Sequence, residues 1–508
     1  MMENAMNGHK RARRFLPLTF AVALVASCTT VPNPFTNAEL AATASDREAR
    51  IISAGQEPVS GPIDLYEAMA RAIKYNLDHQ VELKEEALRL AELGVTDFDM
   101  LPDLVANASF TGRDNAPGAS SLSIESGTES LEPSRSTERE VLDTDLTLSW
   151  DILDFGVSYY RSKQGGDEVL IALEQRRAAI NRVVEDVRTA YWRTVSAQRL
   201  LGRLGHLKGE AQAALRQSEA LSDGGVADPL TALNYQRDLL TILRAIEELR
   251  RDLSVSRNQL AALMNLRQGQ DFTVVIPSYD GRRPPIVNTS AEELSRLAFR
   301  NRPELREISY RLRINDRKRD VALLESFPSL RAFIGVNSSS NDFLVNNDWV
   351  SYGARASWNL LNIVRYPRRK RAVEAGETLL DARALALTQA VAAQVFVSKA
   401  RVQSLRQELG TVAQLDAVNG RIARLVSAGA ASDAEGSQER VKERMNAVLA
   451  TLRHDETYAD LQNAYANLYA AVGLDPYPAN LTGQESVAVM ADALRGLWAA
   501  RGDANARR

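Results

Sequence analysis

The sequence has few of the residues on which catalysis and metal binding usually depend. Its 508 residues include one cysteine and four histidines. The histidines form no i, i+4 pair, and we expect solvated or capping side chains at His9, His79, His206 and His454. No P-loop, dinucleotide-binding, HExxH or GxSxG motif occurs. The sequence therefore predicts no metal site, no cofactor and no enzymatic activity.

Aromatic residues and an excess of either charge are also scarce. The aromatic fraction is 6% and the formal net charge is −3. A chain without a strong basic field is not expected to bind nucleic acid. Hydrophobic residues make up 45% and charged residues 25% of the chain, which argues against wholesale disorder. Ala, Leu, Arg, Gln and Glu are abundant, and this mixture favours long helices.

Long apolar runs are nearly absent, and the clearest one lies near the N-terminus. It spans Phe15 to Val25, follows basic residues at 10–14, and suits the core of a signal peptide over residues 1–27. The run ends in the letters VASC at Cys28, which resembles the lipobox of bacterial lipoproteins. That resemblance implies lipidation at Cys28, and Thr29 is compatible with the outer membrane. The alternative is a plain secretory signal followed by an incidental cysteine.

The rest of the chain contains no apolar stretch that approaches the ~20 residues of a membrane helix. A lipid-exposed backbone must satisfy all its hydrogen bonds, so only helices and closed barrels cross membranes. The mature protein is therefore expected either to be soluble and tethered or to cross the membrane as strands.

The same order of elements occurs twice along the chain. Asp64–Asp99 and Ser290–Ser326 are both predicted as amphipathic helices, and each ends at an apolar residue followed by proline. Two strand-like segments follow each helix. They are separated by a long polar loop, Thr111–Glu140, in the first half and by a short one, Asn337–Asp348, in the second. This repeated order indicates an internal duplication.

The strand-like segments alternate strictly between apolar and polar residues. The pattern matches a transmembrane β-strand of ~9–11 residues, with its apolar side chains outward and its polar ones inward. Trp150 and Trp358 end the return strands and suit a membrane interface. The alternative is a half-buried strand in a soluble sheet. The polar faces favour a wet lumen because they carry charged residues: Asp143, Asp145, Arg331 and Arg355.

Two helical hairpins follow the strands. Long helices are predicted at about 158–222 and 365–427, and returning helices at about 228–266 and 432–474, with coiled-coil spacing of apolar residues. Glycine-rich tips join them. A constant separation of 205 residues relates four pairs of positions across the halves: Gly224 and Gly429, Asp228 and Asp433, Asn258 and Asn463, Leu263 and Leu468.

The predicted fold class is mainly α with a membrane β-barrel portion, built from a duplicated helix–β-hairpin–long helix–helix unit. The predicted layout follows the chain: signal peptide 1–27, lipidated extended segment 28–60, first repeat 61–266 (β-hairpin about 103–151, helical hairpin about 158–266), linker 267–289, second repeat 290–475 (β-hairpin about 329–359, helical hairpin about 365–474), and tail 476–508. We expect the tail after Pro478 to be poorly ordered.

This order and these lengths resemble the TolC family of outer-membrane efflux proteins, and in particular its lipid-anchored branch. The resemblance covers about residues 60–475. It implies a homotrimer whose twelve strands close one barrel, above a periplasmic tunnel of coiled helices. It also implies that the helical tips dock onto a periplasmic adaptor protein coupled to an inner-membrane transporter.

The resemblance assigns candidate roles at the tips. Acidic residues are expected to ring the closed pore, and Glu435 is the preferred candidate because it lies too far into its helix to cap it. Asp228 and Asp433 are either helix N-caps or pore residues. Arg421 and Arg424 are candidates for ionic links in the gate. The expected adaptor contacts are Gly224, Gly225, Val226, Ala227, Gly429, Ala430, Ala431 and Ser432.

Two functions remain open at this point. The first is a lipid-anchored exit duct in the bacterial outer membrane that extends into the periplasm and passes small molecules or polypeptides. The second is a lipid-anchored coiled-coil scaffold that crosses no membrane.

Overall fold

The structure is a computed structural model that describes residues 33–53, 55–130, 132–223, 229–267, 269–277, 287–429, 434–478, 481 and 483–502. The chain divides into two compact units at Gln56 and Glu57. The described part of the first unit, residues 33–53 and 55–56, contains one helix, α1 (Asn37–Ser53). Thr36 caps its start, because the Thr36 hydroxyl accepts a hydrogen bond from the Glu39 backbone N–H. Everything below concerns the second unit.

The elements of the second unit repeat in the predicted order. The first half contains α2 (Leu65–Tyr75), α3 (Leu77–Phe98), β1 (Asp103–Gly112), β2 (Gly118–Ala119), β3 (Ser134–Arg135), β4 (Glu140–Asp151), α4 (Ile152–Asp223) and α5 (Pro229–Leu263). The second half contains α6 (Ala291–Asn301), α7 (Pro303–Leu324), β5 (Ser329–Ser339), β6 (Asp348–Ser357), α8 (Leu361–Gly429) and α9 (Ala434–Ala471), followed by α10 (Val487–Ala500). The duplicated, mainly helical fold is confirmed.

Each helix before a β-hairpin is broken in two, where the sequence analysis expected one continuous helix. Asn76 is extended (φ −63°, ψ 127°), ends α2 and caps α3 through its side chain, which accepts from the His79 amide. Arg302 has the same backbone conformation between α6 and α7. It precedes Pro303, and a residue before proline is disfavoured in the helical region. Each break therefore separates a short helix, α2 or α6, from the longer helix that follows it.

The long strands form one antiparallel sheet in the order β1-β4-β5-β6. The central pairing joins the two halves, with Trp150 opposite Ala332 and Asp143 opposite Ser339. Strand residues on the predicted apolar face are the more exposed ones, as at Leu146 and Val336. Residues on the polar face are more covered, since Thr147 is half-buried and Gly335 is buried. The polar side of the sheet is therefore the more covered of its two faces.

The long helices follow the return strands closely: α4 begins immediately after β4, and α8 begins after a short connection from β6. α4 has 72 residues and α8 has 69, so each is on the order of 100 Å long. They begin at Ile152 and Leu361, several residues earlier than expected from the sequence. Pro367 lies in the second turn of α8. Its missing N–H there removes one helical hydrogen bond.

The helices of the second unit form two successive layers that share α4 and α8. Next to the sheet, the neighbours run α3, α4, α7, α8; farther from it they run α5, α4, α9, α8. A large apolar core lies where the layers meet and includes Met69, Tyr191 and Leu468. A second core, centred on Leu204 and Ile246, holds the helical hairpins together.

The C-terminal tail is helical and buried, so its expected disorder is wrong for residues 487–500. α10 presents an apolar stripe at helical spacing, and Met490, Leu494 and Trp498 are fully buried. Arg495 pairs with Asp64 at 2.6 Å beside α2. Burial of a large tryptophan and this ion pair outweigh the fraying expected at a chain end.

The returning helices end in the same local structure, which corrects the predicted equivalence of Leu263 and Leu468. Asn265 and Gly473 both have positive φ, 53° and 77°. The next residue in each half, Leu266 or Leu474, donates its N–H to a carbonyl five residues earlier, as in a Schellman ending. The separation here is 208 rather than 205 residues, because α9 has 38 residues and α5 has 35.

One helix of the described chain, α8, is long and apolar enough to cross a membrane by length and composition alone. The sequence pattern did not predict this. α8 is far longer than the ~20 residues that a bilayer requires, and it packs along α7 and α9. Only 11% of its most apolar window is buried in the chain. The helix therefore carries a second apolar surface beyond the one used in its own core.

His79, at the joint between α2 and α3, is buried rather than solvated. Its Nδ1 lies 2.7 Å from the Ile73 carbonyl. Burial, with a smaller contribution from Arg176, lowers the pKa of His79 below its ordinary value of 6.5. The folded state thus resists protonation, and stability is retained above pH 6.5 and lost as pH falls below it.

We therefore expect His79→Asn to flatten the acid side of the stability profile. The measurement is the midpoint of thermal unfolding, followed by circular dichroism of the helices at several pH values between about 7.5 and 5. This range spans the ordinary histidine pKa of about 6.5. His206→Asn is the matched control because His206 is exposed on α4. Equal pH dependence of His79→Asn and the unaltered protein would show that another group controls acid stability.

Candidate functional site

The sheet has one polar face and two open edges. β1 pairs only with β4, and β6 pairs only with β5, among the strands that the structure describes. Side chains on the polar face bond to each other across strands, with Asn107 donating to Asp145 at 3.1 Å and Asn337 donating to Ser351 at 2.9 Å. Polar groups that satisfy one another on one face of a sheet suit a water-filled interior.

The two tryptophans lie at the junction of sheet and helices. Trp150 and Trp358 are about half exposed, at 47% and 51%. Trp150 contacts Phe155 edge-on with a centroid distance of 5.6 Å, and the Trp358 indole N–H donates to the Ser326 carbonyl at 3.1 Å. Apolar rings with a fixed polar end are typical of membrane interfaces. Their interface role remains a prediction.

The helical layer carries a polar inner face opposite its apolar core. On α4, Val184, Val187 and Tyr191 enter the core, while Arg182 and Glu185 lie on the opposite side of the helix. That opposite side borders a polar cavity of about 760 Å³ where α7 and α9 meet end to end. Glu82, Glu85, Glu304 and Glu307 also line the cavity.

The inner face of α9 continues this polar surface. Glu456, Asp460, Asn463 and Asn467 follow helical spacing on the side away from the buried Leu461 and Tyr465. Loss of hydration, together with the Asp460 carboxylate, raises the pKa of Glu456. Asn467 donates to Glu185 of α4 at 2.7 Å. A continuous row of polar side chains along α4 and α9 suits contact with water.

The two helical hairpins are joined by polar links that the sequence analysis missed. Arg199 of α4 binds the fully buried carboxylate of Asp455 on α9 at 2.8 Å. Nearer the tips, Arg444 of α9 pairs with Glu210 of α4. These partners are separated by more than two hundred residues, and no local spacing identifies them. Only the packing of α4 against α9 brings them together.

The tip residues fall partly outside the described structure. α8 ends at Gly429, and Arg421 and Arg424 are exposed two turns or so before it, without an ion pair to any described residue. Glu435 is the second residue of α9, where a carboxylate also stabilises a helix N-terminus; its side chain is outside the described part. The following predicted residues lie outside the described residues: Cys28, Gly224, Gly225, Val226, Ala227, Asp228, Ala430, Ala431, Ser432 and Asp433.

Among the described residues, no group of three or more His, Cys, Asp or Glu side chains is placed to hold a metal ion. The geometry consists of a sheet with an apolar outer face, a polar inner face, and long helices with a polar inner row.

Comparison with known proteins agrees with this geometry. Residues 70–266 match the family model described as outer membrane efflux protein. The resemblance to the TolC-like efflux proteins is therefore confirmed. The chain is also 28% identical over 203 residues to outer membrane protein OprJ of Pseudomonas aeruginosa, a match that spans 39% of this chain and 40% of OprJ.

Solved structures of outer-membrane channels show the efflux-protein fold over most of the chain. The Campylobacter jejuni CmeC outer membrane channel superposes with a TM-score of 0.63 at 14% identity, covering 94% of this chain and 98% of CmeC. CusC superposes with a TM-score of 0.62 at 17% identity, covering 83% of this chain and 95% of CusC. The outer-membrane channel OprN superposes with a TM-score of 0.61 at 16% identity, covering 80% of this chain and 89% of OprN. At these identities the comparison establishes the fold.

Proposed function

We propose that the protein is the outer-membrane exit duct of a tripartite efflux or type I secretion system and carries small molecules or polypeptides from the periplasm to the exterior. The observation that carries this proposal is the four-stranded sheet, which has one apolar face and leads into the long helices α4 and α8. The duct performs no bond chemistry, and the energy for transport comes from an inner-membrane partner.

The open sheet edges support a trimer. Unpaired N–H and C=O groups on β1 and β6 are not viable in lipid. Four strands are too few to close a barrel, since the smallest known membrane barrels have about eight. Three copies joined edge to edge form twelve strands and leave no edge.

Exposed apolar side chains on the outermost helices support the same assembly. α3 at one edge of the layer exposes Val81, Leu88 and Val95, each by more than half. α8 at the other edge exposes Leu379, Leu385 and Val397 to a similar extent. Contiguous apolar surface of this kind marks protein interfaces. Packing α8 of one copy against α3 and α5 of the next covers both surfaces and closes a ring.

The decisive experiment is conductance of the purified full-length protein. We expect a detergent-stable trimer that forms discrete ion-conducting channels in planar bilayers. A protein that stays monomeric in several detergents and never conducts would refute the proposed duct. The periplasmic adaptor and the inner-membrane transporter are proposed partners, and crosslinking at the helical tips in cells is the corresponding test.

The scaffold alternative makes a different prediction about the membrane. A coiled-coil scaffold would be held only by lipid on Cys28. Carbonate extraction of membranes from cells that express Cys28→Ala therefore separates the two functions. Retention of the variant in the membrane supports strands in the bilayer, and complete release supports the scaffold.

Glu435 is the proposed member of an acidic ring at the closed tip. Three carboxylates around one axis attract cations, so Glu435→Gln should weaken cation preference and change the conductance of the closed state. The measurement is the reversal potential in a salt gradient. Glu248→Gln is the matched control, because Glu248 pairs with Arg244 on its own helix α5. Unchanged ion selectivity in Glu435→Gln would remove this residue from the pore.

A further inference from the structure

The two loops at the far end of the sheet contact each other. The long loop, residues 113–130 and 132–139, joins β1 to β4 and contains the short β2–β3 pair. The short loop, residues 340–347, joins β5 to β6. In the proposed duct this end of the sheet faces the exterior, because the helices leave the opposite end.

At this end of the sheet, one residue on each of the two central strands is buried on the polar face. Val141 and Ser339 belong to the polar face by strand alternation and are buried, at 8% and 6% exposure. Their neighbours on the apolar face are open, as shown by Leu142 at 46% and Val336 at 58%. Part of the loop region therefore covers the polar side of the sheet at this end. In the proposed duct, that side faces the lumen.

The short loop turns onto that polar side. The Ser339 hydroxyl donates to the Asp143 carboxylate at 2.6 Å, so it lies on the polar face. The backbone N–H of Asn341 in turn donates to the same hydroxyl at 3.4 Å. The chain thus folds back over Ser339 and places Asn341 above the polar face, where Asn341 is 7% exposed.

Asn341 then holds the long loop through both ends of its side-chain amide. Its Nδ2 donates to the Ser136 carbonyl at 3.3 Å, and its Oδ1 accepts the Glu138 N–H at 3.2 Å. The Arg135 guanidinium also lies 5.0 Å from the centre of the Phe343 ring, which is a cation–π geometry. Buried hydrogen bonds to backbone groups are costly to leave unmade, so Asn341 fixes the position of residues 135–138.

We propose that Asn341 is a positioning residue that anchors the long loop over the polar face, where the loop narrows the outer mouth of the duct. This inference rests on the proposed function for its effect on transport. The anchoring itself rests only on the contacts of Ser136, Glu138 and Asn341.

The test compares Asn341→Ala with Asn346→Ala in the full-length protein. Asn346 is the matched control because it is in the same short loop and is exposed. Two measurements are made on each variant: the rate of tryptic cleavage after Arg135 and Arg139 in detergent, and single-channel conductance in planar bilayers. We expect Asn341→Ala to be cleaved severalfold faster and to conduct more than the unaltered protein, whereas Asn346→Ala leaves both unchanged.

The two measurements fail in different ways. An unchanged cleavage rate in Asn341→Ala overturns the anchoring. Faster cleavage with unchanged conductance overturns the narrowing of the mouth. If the unaltered protein does not conduct at all, the proposed duct fails, and the cleavage measurement still decides whether Asn341 anchors the loop.

Discussion

Replacing Trp498 with alanine should lower the stability of the protein by about 3–5 kcal/mol, the range observed for buried Phe or Trp to Ala changes. The side chain is fully buried. Its indole N–H donates to the Pro476 carbonyl at 3.1 Å. The Arg188 and Arg501 guanidinium groups lie 4.6 and 5.0 Å from the centre of the ring system. The measurement is thermal or urea unfolding of the helices followed by circular dichroism.

A conservative variant separates packing from the polar contacts. Trp498→Phe keeps an aromatic ring but loses the hydrogen bond to Pro476, so we expect it to lie between the unaltered protein and Trp498→Ala. Proteolysis after Arg495 reports on the same helix, and release of α10 should accelerate it in Trp498→Ala. If Trp498→Ala unfolds at the same midpoint as the unaltered protein, α10 does not contribute to the stability of the core.

The strands were predictable because their pattern is local. Every second residue from Leu146 to Trp150 is apolar, and a strand places alternate residues on opposite faces. The alternation therefore indicated both the strand and its two faces. The long helices were predictable for the same reason, since their apolar residues repeat at coiled-coil spacing over many turns.

The breaks within the first helices were not predicted, for two different reasons. Arg302 precedes Pro303, so a local signal existed there and was missed. Asn76 has neither glycine nor proline beside it. Its extended backbone is stabilised by the side chain that caps α3 and by the burial of α2 in the core, and that burial depends on residues far along the chain.

The candidate site was predicted only where its chemistry is local. The polar strand face was identified, but the Arg199–Asp455 link between the hairpins was not, because its partners are 256 residues apart. The sequence of α10 has an apolar stripe at helical spacing, formed by Met490, Leu494 and Trp498. Disorder was nevertheless expected there, because the segment lies at the end of the chain. Position in the chain was the weaker guide, because burial of a large side chain decides order at a terminus.

Gly473→Ala should prevent α9 from ending in its present position against α6 and α7. A β-carbon at this residue would come within 2.5 Å of the Asn301 carbonyl carbon and 2.6 Å of the Arg302 nitrogen. Both atoms belong to the backbone at the joint between α6 and α7, so neither can move aside as a flexible side chain would. The residue also has φ +77°, which L side chains rarely adopt. We expect a large drop in the unfolding midpoint and in the yield of detergent-stable oligomer.

Gly483→Ala distinguishes the close approach from the backbone strain. Gly483 has a similar φ of +83°, but a β-carbon there would meet no atom within 4 Å. Gly483→Ala therefore introduces only the strain of a left-handed residue, about 1–3 kcal/mol. We expect it to lower the stability clearly less than Gly473→Ala does. Equal losses in the two variants would mean that strain alone accounts for the effect. A larger loss in Gly473→Ala would instead show that contact between α9 and the α6–α7 joint sets how the two helical layers meet, because Arg302 at that joint also donates to the Ala470 carbonyl at 3.1 Å.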